Sequence, residues 1–168
     1  MRPSTKELLD SIANALETRV APTVTDEWAA SSLRSIGTLL AHLSVRVESE
    51  LTILAEGNAD LRAVLAEACE RMEGQSTPSN PSIRPDIGAL LSERESREGG
   101  AIATVAALEE ESSALNEQLE RLVHVVHQDR ESLGEALHAD LLGSIRSYFA
   151  RQMEREAPLY AALAGPMF

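Results

Sequence analysis

Between positions 29 and 54, apolar residues fall at Ala29, Leu33, Ile36, Leu40, Leu43, Val47 and Leu54, mostly in alternating steps of four and three. That rhythm follows the turn of an α-helix and predicts one helix of about 30 residues, roughly 45 Å long, running to Gly57-Asn58. A helix this long carries an apolar stripe that other helices must cover. Glu50 breaks the rhythm by standing where a seam residue belongs, with Leu51 beside it. A carboxylate in an apolar seam is costly unless it is paired. Either Glu50 marks a polar pocket, or Leu51 takes over the core role as the helix rotates toward its end.

The rest of the chain uses the same language. Ala contributes 24 residues and Leu 23, against five aromatics, and no stretch alternates with the period of a strand. Ser4-Thr5-Lys6-Glu7 has the spacing of a capping box, which starts a helix carrying Leu9, Ile12, Leu16 and Val20 until Pro22 stops it. Thr23-Val24-Thr25-Asp26 offers a second box ahead of the long helix. Asn58 can cap a third helix bearing Leu61, Val64, Leu65, Ala68 and Met72, with Gly74 as its C-cap. Residues 74–86 hold Pro78, Pro81 and Pro85 and read as a flexible linker or crossover. A short helix over 86–98 then meets Gly99-Gly100. A second long helix carries Val105, Leu108, Leu115, Leu119, Leu122, Val126 and Leu133, with Gly134 as an interruption. The last helix, 135–156, ends at Pro158, and 157–168 form an apolar tail. The expected fold is all-α: one domain over 1–168, an antiparallel bundle of four to five helices, two of them long, with a Pro-rich central crossover.

Charge narrows the partners. The chain carries 15 basic and 27 acidic residues, net −12, and Lys6 is its only lysine. Phosphate backbones and anionic membranes require clustered basic side chains, and none occurs, so neither nucleic acid nor membrane is an expected partner. The acidic balance reads as a solvated surface. Cys69 is the single cysteine and lies between Glu67 and Glu70, a setting that raises a thiol pKa. The amino terminus lacks the apolar run of a secretory signal, so a cytoplasmic location is expected.

Four histidines are the candidates for chemistry. Glu117, Glu120, His124, His127 and Glu131 form one helical stripe, and imidazoles with carboxylates at such spacing can chelate Zn²⁺, Fe²⁺ or Ni²⁺. The heptad register opposes a buried site. With Leu119 and Val126 at a, and Leu115 and Leu122 at d, His124 falls at f and His127 at b, away from the core. With Leu33, Leu40 and Val47 at a, His42 falls at c, on the outer shoulder of its helix. His138 and Asp140, two apart, lie on opposite faces of a helix.

Two resemblances accompany these readings. Residues 1–73, from Pro3-Ser4-Thr5-Lys6-Glu7-Leu8-Leu9-Asp10 to Val47-Glu48-Ser49-Glu50-Leu51, resemble a small bacterial all-helical family of unknown function. Its members are encoded beside aminoglycoside-phosphotransferase-like kinases and acyl-CoA dehydrogenases. That likeness implies an accessory role in acyl-CoA metabolism and carries over no catalytic residue. Ser35-Ile36-Gly37-Thr38-Leu39-Leu40-Ala41-His42-Leu43 is similar to a segment of the DinB-like four-helix metalloenzymes. By that resemblance His42, His124 and His127 would be ligands of a divalent metal serving thiol transfer. The later pair departs from the group's pattern, being three residues apart where the group has four.

The leading expectation is therefore a protein without catalytic chemistry of its own, working as a homo-oligomer or through a protein partner. Its motives are the wide apolar stripe over 113–126 and the tail after Pro158, which a monomer would leave uncovered. The rival expectation is the three-histidine metalloenzyme.

Overall fold

The computed structural model describes residues 2–97 and 104–161, and among them every regular element is helical. The helices are α1 (Thr5–Ala15), α2 (Glu27–Arg71), α3 (Ile83–Arg97), α4 (Val105–Gln128), α5 (Arg130–Leu133) and α6 (Glu135–Ala161). The chain divides into two compact units: one comprises Met1–Ile53 and Arg155–Phe168, the other Leu54–Glu154. Helix α2 supplies residues to both.

The first unit begins with the capping box that its sequence announces. The Glu7 amide donates to Ser4 Oγ at 3.2 Å, and the Ser4 amide donates to Glu7 Oε2 at 2.7 Å. After α1 the helix widens into a π turn over Leu16–Val20, then tightens into a 3₁₀ turn over Ala21–Thr23 that accommodates Pro22. Asp26 starts α2 by accepting from the Ala29 amide at 2.8 Å. The two helices meet through polar groups. The Ser44 hydroxyl is buried and donates to Asp10 Oδ1 at 3.0 Å, while Lys6 lies 3.3 Å from Asp10 and 3.8 Å from Glu48.

The second unit holds the apolar core. Leu61, Leu65 and Met72 of α2 gather with Ile83 and Ile87 of α3, Leu115, Leu122, Val125 and Val126 of α4, Leu133 of α5, and Leu141, Ile145 and Tyr148 of α6. Each such side chain withdrawn from water stabilises the fold by about 1.5–3 kcal/mol, and this cluster is where that gain is concentrated.

Several boundaries differ from expectation, each for a physical reason. Gly57-Asn58 does not stop the long helix, and α2 passes through it to Arg71. Asn58 is buried and donates to the Leu108 carbonyl at 2.8 Å instead of capping. Gly57 makes room for a neighbour, since a Cβ there would stand 2.9 Å from Gln152 Oε1. Helix α3 begins at Ile83, ahead of Pro85, because a proline in the first helical turn forfeits no helical hydrogen bond. Helix α4 ends at Gln128 with Asp129 as its C-cap, and Gly134, at φ +77°, separates α5 from α6 in a conformation that favours glycine. Gly74, at φ +75°, follows the end of α2 as its C-cap role requires. Pro158 lies inside α6, which continues to Ala161 although the missing N–H leaves the Glu154 carbonyl without its helical partner. The break expected at Gly99-Gly100 and the tail beyond Ala161 lie outside the described residues.

Candidate functional site

The histidine candidates occupy two different settings. His124 and His127 are exposed on α4, as are Glu117 and Glu120, in keeping with their outward heptad positions. His42 is half-buried, and its Nδ1 is enclosed without a hydrogen-bond partner among the described residues. That enclosure is greater than the outer-shoulder position implied by the heptad, although His42 keeps part of its surface open. Among the described residues no group of three His, Cys, Asp or Glu side chains is disposed to hold a metal ion. His138 is half-buried, and Asp140 pairs instead with Arg71 at 3.4 Å.

Glu50 resolves into an ion pair. It engages Arg46 one turn earlier on α2, which neutralises the carboxylate within its own helix. Cys69 is half-buried, and its thiol pKa is raised. Burial is the chief cause, opposed by the Arg84 guanidinium. That chemistry describes an unreactive thiol.

Four polar groupings that the sequence does not announce tie elements of the second unit together. Asp129 is buried and accepts from the Ser79 amide at 3.1 Å and the Ser79 hydroxyl at 2.7 Å, tying the Pro-rich segment to the end of α4. Arg121 of α4 reaches Asp86 of α3 at 2.5 Å, and the guanidinium, with help from the Ser82 hydroxyl, holds the Asp86 carboxyl below its usual range. Glu111 of α4, only 7% exposed, lies 3.2 Å from Arg62 of α2. The distance makes an ion pair, but the angle makes no hydrogen bond to Glu111 Oε1. On the rim, Arg151 grips Asp60 with two hydrogen bonds of 2.7 and 3.0 Å.

The apolar stripe over 113–126 is a core face. Leu115, Leu119, Leu122, Val125 and Val126 are buried, so this stripe leaves nothing for a partner and does not motivate association. The open apolar surface lies elsewhere. In the first unit Ile36, Leu39, Leu43, Val47 and Leu51 are each roughly half exposed, at steps of three and four along about 22 Å of α2. Trp28, the only tryptophan, is 84% exposed two turns before them. Leu8 and Ile12 add open apolar surface on α1. Among the described residues, Ile53 is the only buried hydrophobic of this unit.

A cavity of about 470 Å³ adjoins it, walled by Ala13, Leu16, Glu17 and Ala21 on one side and by Ala30, Leu33, Arg34 and Gly37 on the other. The π turn and the run of small side chains open this space. Its two charged groups, Glu17 and Arg34, both lie on the exposed side of their elements.

No family model, curated protein or solved structure matches this chain. No helix among the described residues is long and apolar enough to cross a membrane.

Proposed function

We propose that the chain is a helical association module, working through protein–protein contact without catalytic chemistry of its own. The stripe Ile36, Leu39, Leu43, Val47 and Leu51 carries this reading, because it is continuous, helical in period and open. In this reading the second unit is an antiparallel bundle with residues 74–82 as its crossover, the first unit presents the docking face, and the protein acts in the cytoplasm. The ample core of the second unit and the nearly coreless first unit support that division of labour.

The test is whether the stripe serves association or folding. The full chain is expected either to sediment above the mass of one chain or to bind an apolar dye such as 8-anilinonaphthalene-1-sulfonate. The I36Q/L43Q/V47Q variant should do neither while retaining its helical circular dichroism. A wild-type chain that shows neither property, or a variant that unfolds, contradicts the proposal.

A further inference from the structure

We infer that the occupant of the α2 stripe is a second copy of this chain; the inference rests on the association reading above. Charge gives the first argument. Each chain carries −12, so two copies repel over most of their surfaces. Residues 28–53 carry none of that excess, holding Arg34 and Arg46 against Glu48 and Glu50, a net charge of zero. On the stripe itself the Arg46–Glu50 pair is neutralised within one helix. This face is thus one on which self-repulsion is small.

Periodicity gives the second argument. Ile36, Leu39, Leu43, Val47 and Leu51 recur at steps of three and four, a seam that pairs with another helix of similar period. An identical α2 supplies that period by symmetry, and an isologous contact sets the same patch on both sides.

Area gives the third. Trp28, Ile36, Leu39, Leu43, Val47 and Leu51, at on the order of 80 Å² of open surface apiece, offer roughly 500 Å² per copy. Two copies would bury about 1,000 Å², the lower bound for a specific interface. Two α1–α2 hairpins joined this way make four helices around one seam, which furnishes the apolar interior that a single hairpin lacks.

Sedimentation velocity on the full chain, from about 1 to about 100 µM, reads this directly. Wild type should approach twice the mass of one chain as concentration rises. L39E/L43E, which sets four carboxylates across the seam, should stay at the mass of one chain with its helicity unchanged. M153E, at an open apolar position on α6, should behave as wild type. If L39E/L43E loses helicity, V47Q carries the test: a weakened dimer supports the inference and an unchanged one overturns it. A dimer that persists in L39E/L43E, or is lost in M153E, also overturns it. A wild-type chain that stays monomeric but binds the apolar dye overturns the second copy and leaves the association face standing. One that does neither removes both.

Discussion

Single residues in the second unit show how buried polarity is satisfied at a distance, and each has a measurable consequence. Asp129 holds the Ser79 amide and hydroxyl across 50 positions of sequence. D129A removes these hydrogen bonds to a charged group and should cost about 1.5–3 kcal/mol in urea unfolding. R62A strands the buried Glu111 carboxylate, a larger loss of roughly 3–5 kcal/mol, whereas the paired change R62M/E111L should recover most of it. Asp86 makes a pH prediction. Its carboxyl is held low by Arg121, so its stabilising contribution is present above the ordinary carboxylate range and is lost as pH falls through the depressed folded value. D86N should therefore flatten the fall in stability below about pH 4, read from acid unfolding curves of the two proteins. None of these pairings is legible in the sequence, because a serine, an arginine or a glutamate announces no partner 35 to 50 residues away.

Elements were legible where their signals are local. The capping box at Ser4, the stop at Gly74 and the all-α class follow from neighbours within one turn, and the structure carries each of them. The outward placement of His124 and His127 followed from the Leu115–Leu119–Leu122–Val126 register, since that seam does face the core. Gly57-Asn58 misled because its local meaning, a helix stop, is overridden by Leu108 and Gln152, which approach from α4 and α6. N58A should cost about 0.5–1.5 kcal/mol by removing a buried hydrogen bond to the Leu108 carbonyl, more than the loss of a solvent-exposed asparagine in mid-helix would. The same heptad rhythm also carries two meanings along one helix. Around Leu61 and Leu65 it marks core, and around Leu43 and Val47 it marks open surface, a distinction that depends on which helices lie alongside. Leu122→Ala should lower unfolding stability by about 2–5 kcal/mol, and Leu43→Ala, measured at sub-micromolar concentration, by well under 1 kcal/mol.

At the scale of the whole chain, the asymmetry between the two units is the fact from which function is argued. Apolar burial is concentrated in Leu54–Glu154, whereas the α1–α2 hairpin is joined by Lys6, Asp10 and Ser44 and keeps its stripe open. With so little apolar burial, the hairpin is expected to open more readily than the second unit unless its stripe is covered. Amide hydrogen exchange along α2, at a dilute and a concentrated protein sample, tests this most directly. The account predicts that amides over 28–51 become more protected as concentration rises, while those over 54–71 stay equally protected at both. Protection that is uniform along α2 and independent of concentration would contradict it.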